Sequence, residues 1–123
     1  LYSTCDIVSL HIPATPQTKN SINQSLLNLM PQGAILINTA RKEVINEEEL
    51  ILFMQERKDF KYMTDVMPAA DKKMNELFEG RYFATPKKMG AQTAEANINA
   101  GIAAAKQIVD FFQNGNTQFQ LNK

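Results

Sequence analysis

The chain has 123 residues, with 13 basic and 13 acidic side chains, one histidine and one cysteine. Its length fits one domain, and its balanced charge argues against a nucleic-acid-binding surface and gives no support to a basic, membrane-binding patch. A single cysteine excludes an internal disulfide and agrees with a reducing, cytoplasmic setting. No apolar run reaches the length of a membrane span, and no signal peptide is visible. Because a strand-like pattern starts almost at Leu1, which is not a methionine, we expect a fragment that lacks its N-terminal part.

The first forty residues alternate between strand-like and helix-like segments. Residues 6–11 form a short apolar run with β-branched side chains, which predicts a buried parallel strand. Prolines at positions 13 and 16 predict a loop over residues 12–20. Apolar side chains at helical spacing, from Ile22 to Met30, predict a helix that ends at the Pro-Gln-Gly segment. Residues 33–38 predict a second buried strand.

The remaining sequence predicts two further strands and two further helices. Asn46 is suited to cap a helix that has three glutamates in its first turn. Residues 61–66 and 81–85 predict the third and fourth strands. Residues 92–113 predict one long, alanine-rich helix that stops near Gly115. The apolar faces of these helices are Leu50, Phe53 and Met54 in the first, and Ile98, Ile102, Ile108, Val109 and Phe112 in the second.

Strands that alternate with helices predict an α/β fold with a parallel sheet and right-handed crossovers. Ligands of such sheets bind at the carboxyl ends of the strands. Polar residues follow each predicted strand, so we expect a binding site at that edge. These residues are His11, residues 38–41, Asp65 and residues 85–88.

Several of these side chains have both a structural and a functional interpretation. Arg41 is either a surface residue of a turn or a clamp whose planar guanidinium binds a carboxylate through two hydrogen bonds. Asp65 either caps a loop or accepts a hydrogen bond from a ligand. His11 either bonds to backbone or faces a cofactor, and Lys87 and Lys88 belong either to a solvated basic loop or to acid–base chemistry. One histidine and one cysteine provide no metal-ligand set, so we predict no metal site.

Four segments, in this order, resemble the D-isomer-specific 2-hydroxyacid dehydrogenases. Residues 9–18 (SLHIPATPQT) resemble the S-L-H-x-P-x-T-x-x-T segment of that family, and residues 37–41 (INTAR) its I-N-x-x-R segment. Residues 64–66 (TDV) resemble its D-V strand end, and residues 85–90 (TPKKMG) its T-P-H-x-G segment. The resemblance extends over nearly the whole chain.

The resemblance implies a Rossmann-like dinucleotide-binding domain. Residues 1–91 would form the C-terminal part of that domain, and residues 92–123 a long helix and tail that return toward a substrate domain. The implied reaction is reversible hydride transfer between the nicotinamide and C2 of a D-2-hydroxy acid. Arg41 would hold the substrate carboxylate and polarise the C2 oxygen. The implied cofactor-binding residues are His11, Pro13, Thr18, Thr39, Ala40, Arg41 and Asp65.

The sequence departs from the family pattern at two positions. Lysine replaces the catalytic histidine: counting from the proline of the motif selects Lys87, and counting back from its glycine selects Lys88. The acidic partner of that histidine is replaced by Ala70. A carboxylate would keep the proton on a lysine, whereas Arg41 and the positive nicotinamide would favour neutral lysine. The two changes therefore agree with one another, and the sequence resembles a lysine-type subgroup of phosphoglycerate dehydrogenases; the alternative is decay into a non-catalytic relative.

The sequence contains neither the glycine-rich loop that cradles a pyrophosphate nor the acidic residue that selects NAD over NADP. NAD is thus implied by the resemblance, and NADP stays open. We expect a small 2-hydroxy or 2-oxo acid as substrate, namely 3-phosphoglycerate in serine biosynthesis. A glyoxylate or hydroxypyruvate reductase is an alternative enzyme, and an NAD-sensing binding protein is the alternative of another class. We expect a homo-oligomer, no nucleic-acid or membrane partner, and no activity from this chain alone.

Overall fold

A computed structural model describes residues 1–87 and 93–122. The chain divides into two compact units, Leu1–Lys88 and Met89–Lys123. In chain order the elements of the first unit are β1 (Ile7–Leu10), α1 (Gln24–Leu27), β2 (Ile35–Asn38), a 3-10 turn (Lys42–Val44), α2 (Glu47–Glu56), β3 (Lys61–Thr64), α3 (Asp71–Leu77) and β4 (Tyr82–Ala84). The second unit contains α4 (Ala94–Asn114).

The four strands form one sheet in the order β1-β2-β3-β4, and every neighbouring pair is parallel. This arrangement confirms the predicted α/β fold with a parallel sheet. Each strand lies inside its predicted range and starts or ends within two residues of it. In the part of the chain that the structure describes, β1 forms one edge of the sheet and β4 the other.

The core of the first unit joins the sheet to the buried face of α2. Leu50, Phe53 and Met54 are fully buried, which confirms the predicted apolar face of that helix. The ring of Phe53 packs edge-on against Phe60, with 4.9 Å between their centroids. Asn46 caps α2 as predicted, because its side-chain oxygen accepts a hydrogen bond from the backbone N–H of Glu49. The helix therefore begins at a defined residue and carries its apolar face to the sheet.

The predicted helix from Ile22 to Met30 is wrong in its extent, because α1 is a single turn. Asn23 caps it through a hydrogen bond from the N–H of Leu26. Ile22 pairs with Ile45 in an isolated parallel bridge, so tertiary pairing replaces helix at that residue. At the other end, the proline that follows Met30 disfavours helical geometry at the residue before it.

The helix α3 was not predicted from the sequence. Its N-cap position is Ala70, which provides no side-chain hydrogen bond, so the usual sequence signal for a helix start is missing. Met74 is the buried residue of this helix. The phenolic oxygen of Tyr82 donates a 2.6 Å hydrogen bond to Asp71 and ties α3 to β4. Burial, together with this bond, raises the pKa of Tyr82 well above its usual range.

The long C-terminal helix is confirmed as α4. Thr93 caps its start by accepting from the N–H of Ala96, and Gly115 ends it in the left-handed conformation at φ 67°. The predicted first residue, Gln92, lies outside the described residues. None of the described residues of α4 is buried. The exposed apolar stripe includes Ile98, Ile102, Ile108, Val109 and Phe112.

A charged cluster joins the chain segments that lead into β2 and β3. The Nη2 atom of Arg57 donates to the carboxylate of Asp59 at 2.8 Å and to the carbonyl of Pro31 at 2.9 Å. The same carboxylate accepts a 2.6 Å bond from the N–H of Gly33. Hydrogen bonds from Arg57 and Gly33 hold the pKa of Asp59 well below its usual range. These contacts fix the amino ends of the strands, opposite the edge at which ligands are expected.

Candidate functional site

The carboxyl ends of the four strands lie in one row across the sheet. Leu10 is opposite Asn38, Asn38 is opposite Thr64, and Thr64 is opposite Ala84. Each of these strand ends is followed directly by a residue of the polar segments that the sequence predicted at this edge. The parallel register thus brings the predicted polar residues to a single edge of the sheet. In strand order they are His11, Thr39, Asp65 and Thr85.

The turn that leads from β2 to Arg41 is built around the buried side chain of Asn38. Its Oδ1 atom accepts a 3.0 Å hydrogen bond from the N–H of Ala40, two residues later, which is the pattern of an Asx turn. Its Nδ2 atom donates a 3.0 Å hydrogen bond to the carbonyl of Arg41. Because Asn38 has no exposed surface, the peptide groups around Arg41 are held by a rigid part of the core.

The side chain of Arg41 is exposed at this edge. Its Nη1 atom donates to the carbonyl of Ala40 at 2.8 Å, which anchors the guanidinium to the turn. Among residues 1–87 and 93–122, no carboxylate lies within ion-pair distance of Arg41. A guanidinium with this exposure and anchoring is chemically suited to bind an external carboxylate with its other donors.

Asp65 follows β3. Among the described residues, its Oδ1 atom is the one buried side-chain nitrogen or oxygen that has no hydrogen-bond partner. The neighbouring groups, in contrast, have hydrogen-bond partners. Thr64 donates from Oγ1 to the carbonyl of Asn38 at 2.8 Å, and the N–H of Asp65 donates to that same carbonyl at 3.3 Å. A buried carboxylate oxygen without a donor is costly, so this position suits a ligand that supplies an N–H or O–H.

The loop after β1 is held by its own threonines. The Oγ1 atom of Thr18 donates to the carbonyl of Pro13 at 2.6 Å and accepts from the N–H of Thr15 at 2.8 Å. His11 is exposed, and its Nε2 atom lies 2.9 Å from the hydroxyl oxygen of Ser9. The predicted residues Pro13 and Thr18 therefore have a structural role in shaping this loop, and their contact with a cofactor stays a prediction.

The loop after β4 carries the lysines. The N–H of Thr85 donates to the carbonyl of Thr64 at 3.0 Å, and its hydroxyl donates to the carbonyl of Lys87 at 3.0 Å. Lys87 is exposed. The other predicted lysine, Lys88, lies outside the described residues, so the choice between the two stays open.

Three residues of this edge were given no individual role at the site from the sequence, although Asn38 was among the polar residues expected at the strand ends. Asn38 and Thr64 organise the turns on which Arg41 and Asp65 lie, and Glu47 binds the segment after Asp65. Asn38 had a usable signal, since asparagine at a strand end favours an Asx turn. Glu47 had none, because its partners are more than twenty residues away in sequence. Thr64 bonds locally to Val66, but its contact with the carbonyl of Asn38 spans 26 residues and has no sequence signal.

The described part of the chain offers neither a metal site nor a membrane-spanning helix. Residues 1–87 and 93–122 contain no group of three or more histidine, cysteine, aspartate or glutamate side chains that could hold a metal ion. None of the helices in these ranges combines the length and the apolarity that crossing a membrane requires.

Comparison with known proteins identifies the family. Residues 1–86 match the family model described as D-isomer specific 2-hydroxyacid dehydrogenase, NAD binding domain. The chain is 37% identical, over 99% of its length, to the D-3-phosphoglycerate dehydrogenase of Haemophilus influenzae. It is 35% identical, over 88% of its length, to the hydroxypyruvate reductase of Thermotoga maritima. The chain covers 31% of the first of these relatives and 36% of the second.

A solved structure gives the same result. The NAD⁺-bound 3-phosphoglycerate dehydrogenase of Entamoeba histolytica is 53% identical and superimposes with a TM-score of 0.85 over 99% of this chain. This chain covers 40% of that structure. The chain belongs to the NAD-binding domain family of the D-isomer-specific 2-hydroxyacid dehydrogenases, which confirms the resemblance found in its sequence.

Proposed function

We propose that this chain is part of a longer NAD-dependent dehydrogenase, called here the whole enzyme, which oxidises D-3-phosphoglycerate to 3-phosphohydroxypyruvate. The observation that carries the proposal is the row of strand ends that brings His11, the turn of Arg41, and Asp65 to one edge of the sheet. Parallel α/β sheets bind their ligands at this edge. The D-3-phosphoglycerate dehydrogenases among the relatives support the choice of substrate.

The described residues fit NAD at one specific atom. The nicotinamide carboxamide carries two N–H donors, and the buried Oδ1 of Asp65 is an acceptor that needs one. The peptide groups near Thr39 and Ala40 would lie beside the same carboxamide, and the loop with His11, Pro13 and Thr18 would line the ribose and pyrophosphate. When bound, NAD⁺ supplies the hydride acceptor of the reaction.

The side chains of the chain would handle the substrate. Arg41 would bind the carboxylate with its planar donors and polarise the oxygen on C2. Lys87 or Lys88 would take the proton of the C2 hydroxyl during oxidation and return it during reduction. The alanine at position 70, where the family pattern has an acid, leaves no carboxylate there to keep that lysine protonated.

The test is a substrate panel on the purified whole enzyme. D-3-phosphoglycerate, 3-phosphohydroxypyruvate, hydroxypyruvate and glyoxylate are each assayed with the matching oxidised or reduced form of NAD and of NADP. We expect the highest kcat/KM with the phosphorylated pair and NAD. Preference for unphosphorylated hydroxypyruvate would instead assign the reductase activity named for the Thermotoga relative, and preference for glyoxylate would assign a glyoxylate reductase. NAD binding without turnover of any compound would assign a sensor and contradict the proposal.

A further inference from the structure

Two neighbouring connections of the sheet edge carry the proposed ligand-binding residues. The β2–α2 connection, residues 39–46, carries Arg41, and the β3–α3 connection, residues 65–70, carries Asp65. The two connections have to keep a constant spacing if one binds the substrate while the other binds the cofactor. The connections are joined at both of their ends.

The carboxyl ends of β2 and β3 join the two connections where they begin. The carbonyl of Asn38 accepts hydrogen bonds from the Oγ1 of Thr64 at 2.8 Å and from the N–H of Asp65 at 3.3 Å. In addition, the N–H of Val66 donates to Thr64 at 3.0 Å. This join depends mostly on the sheet register, so it follows from the fold.

The carboxylate of Glu47 joins the two connections where they end. Its Oε1 atom accepts from the N–H of Ala69 at 3.0 Å, and its Oε2 atom accepts from the N–H of Ala70 at 3.1 Å. Glu47 is the first residue of α2 and therefore directly follows the connection that carries Arg41. Each carboxylate oxygen thus holds one peptide N–H of the connection that carries Asp65.

Glu47 also lies beside the amino end of α3, where it binds the N–H groups of the two residues that precede the helix. The N-cap residue Ala70 has no side chain that can accept a hydrogen bond, so α3 lacks a cap of its own. A carboxylate beside the amino end of a helix is favoured by the helix dipole, and two N–H donors satisfy both of its oxygens. These two hydrogen bonds hold the side chain of Glu47, which belongs to α2, against the start of α3.

We propose that Glu47 is a positioning residue which sets the spacing between Arg41 and Asp65 by clamping the ends of their two connections. The inference rests on the proposed function, since it gives both residues ligands. Without the clamp, residues 65–70 stay attached at the Thr64 end but lose their attachment to the Arg41 connection at the Ala70 end, where the bond from Tyr82 to Asp71 still ties α3 to the sheet. The Asp65 carboxylate and the Arg41 guanidinium then no longer meet cofactor and substrate in one geometry, and catalysis is sensitive to such displacement.

The test compares Glu47→Gln with Glu48→Gln in the whole enzyme. Both variants remove one negative charge from the first turn of α2, but Glu48 is exposed and does not hold the Asp65 connection. We expect Glu47→Gln to raise the KM for NAD by about fivefold or more and to lower kcat as well. Glu48→Gln should change neither. The rise in melting temperature caused by saturating NAD should shrink in Glu47→Gln alone.

A second measurement does not depend on turnover. Amide hydrogen exchange at Ala69 and Ala70 should accelerate in Glu47→Gln and stay unchanged in Glu48→Gln. If the wild-type enzyme is active and both variants share its KM for NAD, Glu47 only stabilises the fold and the inference is wrong. If the wild-type enzyme neither binds NAD nor turns over a 2-hydroxy acid, the proposed function fails, and the inference fails with it.

Discussion

The side-chain nitrogen of Asn38 donates a 3.0 Å hydrogen bond to the carbonyl oxygen of Arg41, three residues later. Since Asn38 is fully buried at the end of β2, the position of Arg41 is set by the core and not by solvent-exposed loop contacts. The same asparagine accepts from the N–H of Ala40, so one amide group organises the whole turn. Changes at Asn38 should therefore affect both folding and activity.

Asn38→Asp should destabilise the protein and impair the enzyme together. The carboxylate keeps the acceptor for Ala40 but presents a second acceptor to the carbonyl of Arg41, which loses its donor. A buried, poorly paired charge of this kind should lower the free energy of unfolding by about 2 kcal/mol or more. Urea unfolding measures this, with the exposed Asn97→Asp as a control that should change it by less than about 0.5 kcal/mol. Equal stability of the two variants would contradict the role of Asn38.

Arg41→Lys in the whole enzyme should lower kcat/KM for the 2-hydroxy acid at least tenfold. A lysine keeps the charge but loses the planar fork, so the loss of transition-state stabilisation should be about 1.4 kcal/mol or more. Steady-state kinetics with D-3-phosphoglycerate measures it. Lys42→Ala, which removes the neighbouring exposed cation, is the control and should have a much smaller effect. Unchanged kinetics in Arg41→Lys would contradict the assignment of this arginine to the substrate carboxylate.

Methionine substitution should identify the proton-transfer lysine. Lys87→Met and Lys88→Met each remove one amine and preserve most of the side-chain volume. We expect one variant to lose turnover and still bind NAD, because proton transfer and cofactor binding use different groups. Single-turnover assays and calorimetric titration with NAD separate the two properties. Full activity in both variants would exclude a lysine mechanism at this loop.

The stability of the protein should decrease in acid partly because of Asp59. Its folded pKa is lowered by Arg57 and Gly33, so its contribution is fully present above its unfolded pKa of about 4. The contribution is lost as pH falls from that value through the folded pKa. At pH 7, Asp59→Asn should cost about 1–2 kcal/mol, since both partners are only about three-quarters buried.

Urea unfolding at several pH values between neutral and acidic tests this assignment. The difference in free energy of unfolding between wild type and Asp59→Asn should narrow as the pH falls below about 4. Asp6→Asn, which makes the same change at an exposed aspartate, is the matched control. A constant difference across the pH range would show that the charge of Asp59 does not stabilise the fold.

The 123-residue chain by itself should be catalytically inert and should self-associate. Its sequence lacks the glycine-rich loop that anchors a pyrophosphate, and the described part of the sheet leaves one side of β1 unpaired. The apolar stripe on α4 is also exposed: Phe112, for example, retains 80% of its accessible surface. Light scattering and calorimetric titration with NAD test this on the isolated chain. A stable monomer with micromolar affinity for NAD would contradict it.

Local sequence determined most of the secondary structure of this protein. The β-branched apolar runs specify the strands, Asn46 specifies the start of α2, and Gly115 specifies the end of α4. These signals act within a few residues, through caps, side-chain packing and backbone conformation, and so they can be read from the sequence. The motifs also led to the family, because they are strings of neighbouring residues.

Tertiary structure alone decided the features that depend on distant partners. The first helix does not include Ile22, because that residue pairs with Ile45, and α3 begins directly after the N–H groups of Ala69 and Ala70 that Glu47 binds. The same holds at the site: Asp65 lies beside Asn38 only because β2 and β3 are neighbours in register. No local pattern encodes such contacts, since their energy is gained only after the chain has closed the loops between the partners.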